Sequence, residues 1–206
     1  MNVLIIAEDP IKDQYMLKPI IEAMLNYLGR GTAKVAVHQE RLGGYGEALK
    51  KERIGQIVKE RRHNVDVFIE CIDRDCQHEG NPAAHQNRRK ALDFIEGRIR
   101  QEFPKAKFLA ENAIEEIEVW VLAGLDWKAA FPGWSWQDIR TDCNPKEAYF
   151  EPLAKQLGVF EEPGNGRQPL GEQAAKQYAK KLRVLCKEDL LALEHRVRNN
   201  ASEDKE

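Results

Sequence analysis

The 206-residue chain is short of several things, and each shortage removes a class of function. It has no apolar run approaching the ~20 residues of a membrane span, so no helical membrane protein is predicted. The early run Val3 to Ala7 meets Glu8 and Asp9 at once and is too short for a signal-peptide core. Cysteine occurs only at 71, 76, 143 and 186, without a CxxC pair, which predicts reduced thiols in a cytoplasm rather than a disulfide framework. Neither sign of charge dominates: 32 Lys+Arg stand against 34 Asp+Glu, a formal net charge of −2. No global field draws the protein onto nucleic acid or an anionic membrane, so any basic surface must be local. GxGxxG, GxxxxGK[ST] and GxSxG are all missing, and with them the usual dinucleotide cradle, P-loop and serine-hydrolase elbow.

What is present is an alternation. Four apolar runs read as strands: VLIIA (3–7), KVAVH (34–38), VDVFIECI (65–72) and KFLA (107–110). Helical patterns separate them, over about 10–28, 46–62 and 82–103. Such alternation predicts right-handed βαβ crossovers, hence an α/β fold with a parallel sheet of about four strands and flanking helices. Asp9-Pro10 and Asn81-Pro82 each set a capping side chain before a proline suited to the first helical position. "NAIE" (112–115) reads as a capping box opening the helix "IEEIEVWVLAGL". Beyond it come a tryptophan-rich stretch, a helix over 144–158, a loop over 161–171 and a helix over 172–198. The predicted division is a sheet domain over 1–126, a helical extension over 127–198 and a frayed tail over 199–206.

The stretch "FIECIDRDCQ" (68–77) ends a buried strand on Asp73 and Asp75. Two apart in extended backbone, they point the same way. Ligands of open α/β sheets bind outside the carboxyl ends of the strands, and Glu8 ends the first strand in the same manner. Three carboxylates on one edge repel unless a cation sits between them. A hard ion such as Mg²⁺ answers that need, and a solvated loop with Arg74 as counter-ion is the plainer alternative. Glu118 falls inside the apolar stripe of Ile114, Ile117, Val121, Leu122 and Leu125. A carboxylate facing a core must be metal-bound, protonated or paired with a buried Arg or Lys. Lys50, Lys51, Arg88 and Arg89 belong to basic clusters suited to phosphate contact. Cys71, Cys76, His78 and His85 are too irregularly spaced for a zinc site. Trp127, Trp134 and Trp136 suit covering the sheet or meeting a partner more than stacking bases.

With these residues laid out, the chain resembles the Toprim-like superfamily of topoisomerases, bacterial primases, a ribosomal RNA maturase and OLD-type nucleases. "VLIIAED" (3–9) carries Glu8, and "VFIECIDRD" (67–75) carries Asp73 and Asp75. "IEEIEVWVLAG" (114–124) and "NPKEAYFEPLAKQLG" (144–158) are similar to a bacterial domain-of-unknown-function family within it. The chain departs from the pattern where Asp9-Pro10 follows Glu8 in place of a common Gly, and where the nearest Gly after the D-x-D is Gly80. The resemblance implies a Toprim-like sheet and Mg²⁺- or Mn²⁺-dependent phosphoryl chemistry on DNA or RNA. Asp73 and Asp75 would hold the metal, Glu8 would bind it or act as general base, and Glu118 would complete the site. It further implies a nuclease of phage defence gated by a separately encoded ABC- or SMC-like ATPase. Two alternatives stand beside it. One is an inactive Toprim-like binding subunit. The other is a phosphorelay receiver, which Glu8, Asp9 and Asp73 imitate but which lacks a hydroxyl in "FLAEN".

Overall fold

The structure is a computed structural model that describes residues 1–74 and 83–200, apart from the side chains of residue 45 and residues 83–87. Its strands are β1 (Asn2–Ala7), β2 (Lys34–Val37), β3 (Val67–Asp73) and β4 (Lys107–Ala113). They form one all-parallel sheet in the order β2-β1-β3-β4, flanked by helices, which is the α/β class the sequence predicts and is consistent with a Toprim-like fold.

The helices of the sheet region are α1 (Pro10–Tyr27), the short α2 (Tyr45–Ala48), α3 (Lys51–Arg61), α4 (Ala83–Glu102) and α5 (Glu118–Gly124). The extension carries α6 (Trp136–Thr141) and a π-helical turn, Lys146–Phe150, that runs into α7 (Glu151–Gln156). It continues with α8 (Arg167–Ala175), a second π-helical turn, Tyr178–Leu182, leading into α9 (Arg183–Leu185), and α10 (Leu190–Asn200). No helix among the described residues is long and apolar enough to cross a membrane.

Strand alternation divides the core. Val3, Ile5 and Ala7 share one apolar cluster with Ile20 and Ile21 of α1 and with Leu170, Leu190 and Leu193 of the extension. Leu4, Ile6, Phe68 and Ile72 share the other with Ile54 of α3 and Leu92 and Ile95 of α4. The two faces follow from the strand order. The chain steps from β1 to β2 in one direction, then from β2 to β3 and β4 in the other, so right-handed crossovers place α1 opposite α3 and α4. The direction reverses between β1 and β3, and a crevice at such a switch point is where open sheets bind ligands. The extension sits close on α1: a side chain on Gly171 would run into the Tyr15 carbonyl oxygen.

Among the described residues no fifth strand pairs with the edge strand β4, and carboxylates take its place. The N–H groups of Ala110, Asn112 and Ile114 donate to Glu96 (2.7 Å), Glu111 (3.1 Å) and Asp189 (2.9 Å). The Ala110 carbonyl accepts from Arg89 (2.8 Å) and Arg196 (2.9 Å). Buried backbone groups must be paired somewhere, and here long side chains do it.

Several expectations are corrected. β4 runs on to Ala113, so "NAIE" is no capping box: Asn112 is in the strand, and Glu115 takes a left-handed backbone (φ 64°). The helix then begins only at Glu118. The helix predicted over 46–62 breaks at Lys50, which is extended. The loop predicted over 161–171 contains the start of α8, and the helix predicted over 172–198 is interrupted by a π-helical turn and a break after Leu185. Cys71 and Cys186 are buried free thiols, but Cys143 is disulfide-bonded, against the expectation of four reduced cysteines. The Asn81-Pro82 cap and the residues Asp75, Cys76 and His78 lie outside the described residues, as does the side chain of His85.

Glu70 is the anomaly of the core. It is fully buried in β3, and neither carboxylate oxygen has a hydrogen-bond partner among the described residues. Burial pushes its pKa well above the usual range, and Glu96 adds to the push. A raised folded-state pKa stabilises the fold at low pH, and that contribution is lost as pH rises from the unfolded carboxylate value toward the folded one. Glu70→Leu is therefore expected to raise stability by about 1–3 kcal/mol. The gain should be larger at pH 8 than at pH 5 in urea denaturation.

Candidate carboxylate site at the sheet switch point

β1 and β3 stay in register to Ala7↔Cys71, which brings Glu8 and Asp73 out at the same sheet edge. Asp73, the last residue of β3, is partly exposed, and its Oδ1 accepts the Ile117 N–H at 2.8 Å. Its carbonyl oxygen accepts from the buried Arg88. Glu8 follows β1 and is half-buried. Asp75, the other half of the D-x-D, lies outside the described residues.

Glu118 arrives from the β4–α5 side and is buried. It pairs with the equally buried Arg167 at the start of α8, so the alternative of a buried arginine partner is the one realised. Arg167 also donates to the Gly164 carbonyl (2.8 Å) and lies over the Phe150 ring (5.6 Å to its centroid). The pair does not neutralise its surroundings. Burial raises the Asp73 pKa well above the usual range, with Glu118 and then Asp13 adding to it, while the Ile117 N–H opposes.

Two further acids belong here that the sequence reading passed over. Asp13 lies in the first turn of α1, where its Oδ2 accepts the Asp9 N–H (3.1 Å). Its pKa is pushed up to about 7, mainly by burial and then by Glu118. Glu116 accepts the Lys146 N–H (2.8 Å) and is likewise raised to about 7 by burial and Glu118. Asp13 was findable: Asp9 caps α1 through the Ile11 N–H (3.2 Å), so an acid four residues on returns to the same edge. Glu116 was hidden in a run of acids. Arg167, in what read as a loop, gave no signal.

The basic residues singled out in the sequence do not join this cluster as free cations. Arg88 is buried, and Arg89 is held by Asp93 (2.8 Å) and Glu111 (3.0 Å). Arg88 is turned toward the end of β3, where it donates to the Asp73 carbonyl. Lys50 pairs with Glu47, and Lys51 with Glu102 (2.6 Å). Trp127 is buried, and Trp134 stacks on Phe131 (3.9 Å between centroids, 4° between planes), as residues covering a core do.

The chemistry of the donors suits a hard cation, since all are carboxylate oxygens. Part of that capacity is already used, by the Ile117 N–H on Asp73 and by Arg167 on Glu118. Among the described residues no group of three or more His, Cys, Asp or Glu is placed to hold a metal ion.

No family model matches the chain, and no curated protein or solved structure matches it either.

Arg167→Met leaves Glu118 buried and unpaired, which is expected to cost about 3–5 kcal/mol of stability. Adding Glu118→Leu should restore much of that loss, since it removes the stranded charge. Denaturant midpoints of the single and double variants test both statements.

Proposed function

We propose that the protein is a divalent-cation-dependent nuclease of Toprim type, hydrolysing phosphodiester bonds of DNA or RNA. The observation that carries the reading is the convergence of Asp13, Asp73, Glu116 and Glu118 at the β1/β3 switch point. Asp13, Asp73 and Glu116 have raised pKa values because burial and neighbouring carboxylates outweigh the cations near them, a common condition of functional sites. In this reading Asp73, with Glu8 and Asp75, holds Mg²⁺ or Mn²⁺. When bound, the cation supplies charge neutralisation at the scissile phosphate. Glu8, partly exposed beside Asp73, positions and deprotonates the attacking water if it is not itself a ligand. Glu118 serves as the buried charge that Arg167 anchors, setting the potential felt by Asp73. The resemblance adds the further proposal of a phage-defence effector in the cytoplasm, gated by a separately encoded ABC- or SMC-like ATPase.

A second reading, a binding subunit without catalysis, is favoured by one observation. Asp73 Oδ1 and Glu118 are already occupied by protein donors, an arrangement that needs no metal.

Two measurements separate the readings. Asp73→Asn should reduce Mg²⁺-dependent cleavage of nucleic acid by about 100-fold or more. Equal rates in wild type and variant would sink the nuclease mechanism. The second is thermal stability against pH. Asp13 and Glu116 have folded pKa values raised to about 7, so they bind protons in the fold that the unfolded chain releases. Their contribution to stability is present at low pH and lost as pH rises toward and through 7. Without metal, Tm should therefore fall between pH 5 and pH 8. Saturating Mg²⁺ should recover the loss at pH 8 and change little at pH 5, because protons already fill the site there.

A further inference from the structure

A concavity of about 360 Å³ opens next to the end of β3, with Arg74, Glu115, Trp136, Gln137, Arg140 and Lys187 among its lining. Arg74 directly follows Asp73, so the two sites share a strand end. We propose that this pocket takes one unstacked nucleobase, so that the protein engages single-stranded or locally opened nucleic acid. The proposal rests on the nucleic-acid reading above and deepens it.

Independent features meet in the pocket. The first is unspent hydrogen-bonding capacity. Arg74 Nη2 pairs with Glu115 Oε1 at 3.1 Å, and the Arg74 N–H donates to the Glu115 carbonyl (3.1 Å). Yet Arg74 Nε and Glu115 Oε2 are buried with no hydrogen-bond partner among the described residues. One is a donor and the other an acceptor, and leaving each unmade costs about 1–3 kcal/mol. A planar ring edge that offers an acceptor beside an N–H satisfies both, and the Watson–Crick edge of every nucleobase has that character. The Glu115 side chain is only 7 % exposed, whereas Arg74 is 21 % exposed and is the partner able to swing.

The second feature is strain. Glu115 is a non-glycine residue at φ 64°, a conformation that persists only where surroundings enforce it and that clusters at ligand sites. The third is an aromatic wall. Trp136 is half-buried in the first turn of α6, which Ser135 and Asp138 fix with a reciprocal capping box. Base–aromatic stacking is worth about 1–3 kcal/mol per base. The fourth is a rigid polar rim. Arg140 is held by both oxygens of Asp189 (3.1 Å each), and the exposed Lys187, beside Glu188 on the rim, supplies a cation for the phosphate attached to the base.

The test is binding in metal-free buffer, where cleavage does not intervene. The probes are a short single-stranded oligonucleotide, an abasic strand of equal length, the corresponding duplex and the nucleoside 5′-monophosphates, each in DNA and RNA form. The base-containing strand should bind about tenfold tighter than the abasic one. Trp136→Ala should erase that preference, Trp136→Phe should keep most of it, and Glu115→Gln should weaken it. Denaturation midpoints confirm that the variants fold. Trp136-dependent binding of monophosphates, without preference for the strand, would support the pocket and name a free nucleotide as its occupant. Equal binding of intact and abasic strands with no Trp136-dependent monophosphate binding overturns the pocket and leaves the cleavage reading standing. A base preference that survives Trp136→Ala overturns it too. Base-dependent binding by a wild type that still cleaves nothing once Mg²⁺ or Mn²⁺ is added overturns the cleavage reading and leaves the pocket.

Discussion

The unpaired edge of β4 is the constraint from which much of this molecule follows. A parallel edge strand presents N–H groups that must find acceptors. Here Glu96, Glu111 and Asp189 provide them at Ala110, Asn112 and Ile114. Acids brought so far inside must in turn be answered by cations. Arg89 comes from α4 and Arg196 from α10, while Arg140 of α6 takes both oxygens of Asp189. Asp189 also accepts the Trp120 indole N–H at 2.8 Å. The helical extension is therefore bonded to the sheet through charge as well as through its apolar face.

The same logic reaches the carboxylate site. Asp189 fixes Ile114, Ile117 supplies the N–H that Asp73 accepts, and Arg167 of α8 holds Glu118. Charge-assisted hydrogen bonds of this kind are short and roughly twice as strong as neutral ones. They set the β4–α5 connection, and with it the positions of Glu115, Glu116 and Glu118 around the switch point. The extension thus shapes the sheet edge as much as it covers the core. Its contribution is electrostatic, since it places Arg167 and Lys146 among acids that would otherwise stand alone.

The sheet was legible because strand alternation and buried runs are local properties. VLIIA and VDVFIECI announce strands covered on both faces, and Asp9-Pro10 announces the start of α1. Asp73 was legible for the same reason, as a polar residue ending an apolar run. β4 was read too short because its final residues, Glu111 and Asn112, are polar, and their use at an unpaired edge is a tertiary fact. Glu118 was recognisable as a misplaced charge, but its partner was not, because Arg167 lies 49 positions away in a loop-like stretch. Arg89 looked like a surface cation because a charge run on a helix gives no hint that an edge strand lies within reach. The π-helical turns left no mark in the periodicity either.

The side chains along β4 also determine how this protein meets other chains. An open parallel edge is a template on which a foreign strand can extend the sheet. Along Ala110 to Ile114 that template is already filled by carboxylates and guanidinium groups, each tied into an ion pair. An invading strand would have to expel those charges before gaining a single backbone bond. The opposite edge, β2, is only four residues long and begins on an exposed lysine. A sheet guarded by charge on one side and by brevity on the other resists runaway growth into fibrils, and partners are left to approach through its loops and helices.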